Sequence, residues 1–209
     1  MEEQENQNQE SSTGTGEEII SSAEKSFLAK SGIFFLEIIK IVILAGITIG
    51  LVRYILFKPF YVKGQSMEPA FYEHEYLIVD ELTYRFREPE RGEVVVFKSS
   101  SFDGDYLLKR VIAVPGERVN LSDNKIVIYN LDHPQGIVLD ETYLTENTAG
   151  SVMYTLGPDQ YFLLGDNRDS SYDSRRFGPV DRDTIIGKVF FRGWPIGKFG
   201  LFSVPELNF

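Results

Sequence analysis

The chain has 209 residues, 43% of them hydrophobic and 13% aromatic, with no cysteine and a formal charge of −10. That apolar content suffices for one sizeable core besides any membrane segment, so one principal globular domain is expected. The missing cysteines exclude disulfide frameworks, thiol nucleophiles and cysteine zinc clusters, and the acidity argues against nucleic acid as a partner, because phosphate binding rests on clustered Lys and Arg.

Residues 1–32 concentrate the acidity: Glu2, Glu3, Glu5, Glu10, Glu17, Glu18 and Glu24 stand against Lys25 and Lys30, among Gln, Asn, Ser and Gly. Such a stretch buries too little apolar surface to offset its ordering entropy, and a disordered acidic tail is expected. Residues 33–57 are then apolar except for Glu37, Lys40, Thr48 and Arg53. As a helix this run would be about 37 Å long, enough to cross a ~30 Å hydrocarbon core. Its charges lie toward the ends, where they can snorkel to headgroups, and Tyr54, Phe57, Phe60 and Tyr61 resemble an interfacial aromatic belt. One transmembrane helix in a lipid bilayer is expected. A buried core helix fits less well, because residues 41–52 offer no polar face. Lys25 and Lys30 before the run and Lys58 and Lys63 after it leave the orientation undecided by charge.

From residue 58 onward, short β-branched and aromatic runs recur at 76–79, 93–97, 107–114, 125–129, 161–164 and 185–191. Turn residues such as Gly92, Pro115-Gly116, Ser122-Asp123-Asn124 and Gly157-Pro158 divide them. The pattern predicts a mainly β domain over 58–209. Within it, 118–160 is rich in Asn, Asp and Thr and reads as a small subdomain inserted between two core strands.

Two histidines, His74 and His133, leave little material for a Ser-His-Asp triad or a His-based metal site. His74-Glu75 begins like a zinc-protease helix, but no second His follows four residues after the first. A nucleophilic serine therefore needs another base, and Lys109 is the best candidate. In an extended 107–114 segment, alternation puts Lys109 on one face with Leu107, Val111 and Ala113, with Arg110 pointing away as a structural residue. Desolvation among apolar neighbours lowers a lysine pKa from its ordinary ~10.4, the condition for a Ser-Lys dyad. Spacing alone favours the plainer reading of a solvated Lys-Arg pair on an edge strand.

Ser66 lies in Gly64-Gln65-Ser66-Met67-Glu68-Pro69, and even a fully extended chain from Phe57 reaches it within about 30 Å. Its target is therefore expected close to the bilayer. If the approach to it is a strand, Phe60, Val62, Gly64 and Ser66 share one face, which an extended peptide can join by strand addition. Further on, residues 165–178 balance Asp166, Asp169 and Asp173 against Arg168, Arg175 and Arg176, and read as an ordered, self-neutralised loop. A calcium loop is the rival reading, but alternate positions 166, 168 and 170 supply Asp, Arg and Ser. In this loop Ser171 is suited to orient a lysine amine, and Asp173 with Arg175 to brace the backbone.

Taken in order, four stretches closely resemble the successive boxes of bacterial type I signal peptidases: Gly64 to Pro69, Arg91-Gly92-Glu93-Val94, Lys109 to Glu117, and residues 165–178. The resemblance extends over 35–196 and includes Gly193-Trp194-Pro195. It implies a membrane-bound serine endopeptidase with a signal-peptidase-type β catalytic domain, one that removes signal peptides from exported preproteins without metal or organic cofactor. It also implies Ser66 as nucleophile, Lys109 as general base, Ser171 as the serine that orients the lysine, and Asp173 with Arg175 as a supporting pair. Phe60, Val62 and Leu108 match positions lining pockets for small residues at the first and third places before the cut. The family topology implies a single-pass protein of the bacterial cytoplasmic membrane, with the tail cytoplasmic and 58–209 extracytoplasmic, and a working monomer is expected. Gly64 stands where some members carry a hydroxyl donor to the oxyanion, so the second donor beside the Ser66 N–H is unassigned. Two other readings stay open: another Ser-Lys endopeptidase of the autoproteolytic repressor kind, and a catalytically silent membrane-tethered β module that binds export substrates.

Overall fold

The computed structural model describes residues 32–50, 57–99, 104–144 and 147–209, so the expected disordered tail falls almost wholly outside the described residues. Two compact units divide the chain, Met1–Val52 and Arg53–Phe209. In the first, helix α1 (Gly32–Gly50) is apolar and exposed along its length. At 1.5 Å per residue it measures about 28 Å, close to the ~30 Å of a hydrocarbon core.

The helix does not reach Phe57. Residues 51–56 lie outside the described residues, and Phe57 opens a strand instead. Apolarity continues from helix into strand, so composition marks no boundary there. Strand pairing sets it: Phe57–Tyr61 lies antiparallel to Tyr76–Asp80, from Phe57 opposite Asp80 to Tyr61 opposite Tyr76. Pro59, which has no N–H to donate, is accommodated because this strand is at the sheet edge.

The strands of the second unit are β1 (Phe57–Tyr61), β2 (Tyr76–Asp80), β3 (Val94–Lys98), β4 (Tyr106–Ala113), β5 (Arg118–Ser122), β6 (Lys125–Tyr129), β7 (Ile137–Val138), β8 (Val152–Thr155), β9 (Gln160–Leu164), β10 (Val180–Asp181), β11 (Ile185–Trp194) and β12 (Gly200–Leu201). A single-turn helix α2 (Ser174–Phe177) lies between β9 and β10. The larger sheet runs β1-β2-β11-β3-β4-β9-β10, with β12 paired to β11. The smaller runs β7-β6-β5-β8 and is inserted between β4 and β9.

Two alternating runs, Arg118–Ser122 and Lys125–Tyr129, are joined through Asp123 and Asn124 at φ 51° and 60°. Both central residues in the left-handed region give the hairpin turn whose twist matches its strands. The inward residues Val119, Leu121, Ile126 and Ile128 pack into one cluster with Ile112, Ala113, Phe162 and Leu164 of the larger sheet. The two sheets therefore share a core, each of its Val, Leu, Ile and Phe side chains contributing ~1.5–3 kcal/mol by burial. A register shift between Val111 and Ala113 breaks the alternation along β4. Val111 packs with Val95 and Leu163, whereas Ala113 joins Ile112 in the other cluster, so Ala113 does not share the Lys109 face as strict alternation predicts.

The Arg91-Gly92-Glu93-Val94 motif is a brace. Arg91 bonds the Ile112 carbonyl and Glu117, and Glu93 accepts from Tyr84 at 2.8 Å and Lys188 at 3.0 Å. Burial works against the Glu93 carboxylate, but its donors, Arg87 foremost, hold the pKa below the usual range.

Candidate active site

Ser66 does not sit on a strand. β1 ends at Tyr61, and one further bond, Val62 N–H to the Glu75 carbonyl at 2.9 Å, continues the pairing. Gly64 then turns the chain at φ +81°, a conformation that L side chains rarely adopt. The alternation expected to align Phe60, Val62, Gly64 and Ser66 is broken there, and a compact turn presents Ser66 instead. Met67 and Phe71 anchor this turn by packing with Val62, Leu77, Val94 and Val189. The Asn167 N–H fixes it from the other side by bonding the Ser66 carbonyl at 3.1 Å.

Lys109 projects from β4 and is 2% exposed. Its Nζ donates to Ser66 Oγ at 2.8 Å and to the Leu108 carbonyl at 2.9 Å. Burial depresses the amine from its ordinary 10.5 to about 8, with Asp173 and Asp166 pulling the other way. The plainer alternative, a solvated Lys-Arg pair, fails for both residues. Arg110 is as buried as its neighbour, with Nε and Nη2 on the two Asp166 oxygens at 2.8 and 2.6 Å and Nη1 on the Gly92 carbonyl at 2.7 Å.

The 165–178 loop leaves the end of β9 and closes the other side of the site. The sequence reading of a self-neutralised loop holds for one pair only: Arg175 binds Asp173 through Nε and Nη2, both at 2.8 Å. Asp173 caps α2 from an extended conformation and also accepts the Gly165 N–H at 3.1 Å. Two of the other charges find partners outside, Asp166 in Arg110 and Arg168 in Glu141. Short-range composition cannot reveal such pairings, because both partners lie more than twenty residues away in sequence. Gly165 has no room for a side chain, since a Cβ there would overlap Ser171 Oγ and the Ser66 carbonyl oxygen.

Ser171 is thus packed beside the serine turn, buried, but the hydrogen bond expected between it and Lys109 is not formed. Its Oγ has no partner among the described residues. The Ser66 N–H likewise has no acceptor among them, whereas the Gly64 N–H is taken by Glu73 at 3.1 Å. An apolar cleft of about 120 Å³ opens in front of Ser66 and Lys109, lined by Phe60, Val62 and Leu108 together with Met67, Leu77 and Tyr106. At ~30 Å³ per water in the liquid, it has room for small side chains. Tyr106 was not singled out by sequence; its ring meets Phe60 edge-on at 5.7 Å.

A hydroxyl bonded to a lysine amine that burial has made less basic is the arrangement of a hydrolase with a serine nucleophile and a lysine base. The comparisons place the chain among peptidases. The family model described as signal peptidase, peptidase S26, matches residues 35–194. A Synechocystis sp. relative named "Probable signal peptidase I-2" is 36% identical over 180 residues, covering 81% of this chain and 78% of its own. Signal peptidase IB of Staphylococcus aureus strain MRSA252 is 35% identical over 184 residues, covering 82% and 95%. A solved signal peptidase I from Enterococcus faecalis V583 aligns at 30% identity with a TM-score of 0.43, over 49% of this chain and 97% of that one. The chain belongs to the signal peptidase family, peptidase S26.

Proposed function

We propose that Ser66 and Lys109 are the catalytic pair with which this chain, a signal peptidase, cuts signal peptides from exported preproteins. The observation that carries the assignment is the 2.8 Å bond from a buried, weakened amine to an accessible hydroxyl. Neutral Lys109 takes the Ser66 proton as Oγ attacks the scissile carbonyl, and the Ser66 N–H stabilises the developing oxyanion. Lys109 returns the proton to the leaving amine, then takes one from water, which hydrolyses the acyl-enzyme. The Ser171 hydroxyl, buried and unpartnered, is the group assigned to bond the Lys109 amine during these transfers, because an unsatisfied buried hydroxyl costs about 1–3 kcal/mol. Asp173 with Arg175 holds Gly165 against the serine turn. Phe60, Val62 and Leu108 line the pocket for small residues before the cut, and the mouth of that cleft admits an extended peptide.

The test is the pH dependence of kcat/KM on a preprotein with Ala-x-Ala before the junction. A base must be neutral, and with a pKa near 8 about a tenth of Lys109 is neutral at pH 7 and about nine tenths at pH 9. Activity should therefore climb on an acid limb with its midpoint near 8, and bulky residues in place of the alanines should lower it at every pH. A flat profile from pH 6 to 9 would remove Lys109 as the base.

The family and the apolar α1 fit a membrane-anchored protein. The finer placement is a single pass through the bacterial plasma membrane, with the tail cytoplasmic, residues 58–209 outside and one copy sufficient, since the substrate is cut after export. Protease added outside intact spheroplasts should digest 58–209 and spare the tail; digestion of the tail alone would reverse the orientation.

A further inference from the structure

The Arg168 guanidinium, its side chain 0% exposed, is held from outside the catalytic loop. Nη1 and Nη2 bond the two Glu141 oxygens at 2.6 and 2.5 Å, Thr148 Oγ1 and the Tyr143 hydroxyl complete the surround, and Nε donates to the Gly165 carbonyl at 3.0 Å. Glu141, Tyr143 and Thr148 all belong to the connection between β7 and β8 of the smaller sheet. A further bond leads the same way, from Arg175 Nη1 to the Ala149 carbonyl at 3.1 Å, while the Tyr143 ring lies 4.5 Å from the Arg110 guanidinium. None of these residues lines the cleft in front of Ser66.

Stability alone does not explain the arrangement. The smaller sheet is already fixed by the apolar cluster it shares with the larger one, and a buried ion pair is often no more stabilising than well-packed apolar residues. What a bidentate pair does supply is orientation: it fixes the guanidinium plane and thereby the direction of Nε. Nε points at Gly165, the residue pressed between the Ser66 carbonyl and Ser171. We infer that Glu141 is a positioning residue for the reaction, acting through Arg168 to hold Gly165 in place, and that the connection between β7 and β8, rather than the strands of the smaller sheet, sets the geometry of the serine turn. The inference rests on the Ser66 and Lys109 assignment, because it concerns the geometry of that pair.

The test compares Glu141→Ala and Glu141→Gln in the full-length enzyme in detergent, with kcat and KM measured separately from pH 6 to 10. Glu141→Ala should lower kcat about tenfold or more while KM stays within about twofold, as expected when reacting groups are displaced rather than binding lost. Its acid limb should move to higher pH, because a relaxed loop admits water to Lys109, whose charged neighbours among the described residues are Asp173 and Asp166 with their partners Arg175 and Arg110. Glu141→Gln retains an acceptor oxygen and should recover part of both effects. Val119→Ala removes buried methyl groups from the same sheet without removing any hydrogen-bond partner of Arg168, and controls for lost stability. If at matched melting temperature it reproduces the kcat loss and the displaced limb, or if Glu141→Ala changes neither, the inference is overturned. Cleavage by Ser66→Ala in the same assay would instead overturn the underlying assignment, so the two failures are distinguishable.

Discussion

Lys109→Met is expected to abolish preprotein cleavage and, at neutral pH, to make the protein more stable. Removing one member of a nucleophile–base unit typically costs about 10⁴–10⁶ in kcat, so residual activity should fall to the detection limit. The stability gain follows from the depressed amine. The folded pKa, about 8, lies below the ordinary 10.5, so between those values the unfolded chain binds the proton that the folded one has released. Stability therefore rises with pH across that window, and the penalty for protonating the buried amine is fully present below pH 8. At ~1.4 kcal/mol per unit it amounts to about 3 kcal/mol. Methionine has a similar length without the charge, and loses the bonds to Ser66 and to the Leu108 carbonyl, each a net contribution of ~1 kcal/mol. The melting temperature at pH 7 should rise by a few degrees, on the order of 3 °C for a chain of this size. By pH 10, where most of the penalty has gone, the gain should have disappeared and the variant should melt slightly below the unmodified protein. An unchanged or lowered melting temperature at pH 7 would mean that the amine is not desolvated, and the physical case for Lys109 as a base would go with it.

The same residue shows what sequence could reveal. Ser66 and Lys109 stood out because a few residue types in a fixed order carry the chemistry, and the 125–129 and 107–114 runs because their β-branched residues lie between turn residues. β1 was hidden because apolar residues continue from α1 into it, so its limit is set by pairing with β2 rather than by composition. β5 did leave a signal: Arg118-Val119-Asn120-Leu121-Ser122 alternates polar and apolar and is followed by Asp123-Asn124, but its polar half made it read as part of an Asn-rich insertion. The partners of Arg110 and Arg168 left none. Asp166 and Glu141 meet them only because β4, β9 and the β7–β8 connection converge in space.

Arg110→Met tests that convergence, and should destabilise the protein by about 3–5 kcal/mol, because it leaves Asp166 buried without its counter-charge. The bidentate bonds and the Gly92 carbonyl acceptor all lose their donor at once. Activity should change in a distinctive way in whatever fraction stays folded. Asp166 already raises the Lys109 pKa against the effect of burial, and with Arg110 gone its charge is no longer neutralised. The amine should hold its proton more firmly, moving the acid limb of kcat/KM to higher pH. Adding Asp166→Leu removes both charges together and, as an apolar pair in an apolar site, should recover much of the stability. It also deletes one of the two carboxylates that support the protonated amine, so the limb should move to lower pH than in the unmodified enzyme. The single and double variants thus shift the limb in opposite directions from a common starting point, while unfolding is worst in the single. If both shift it the same way, Asp166 does not act on Lys109 through its charge, and the pair serves the fold alone.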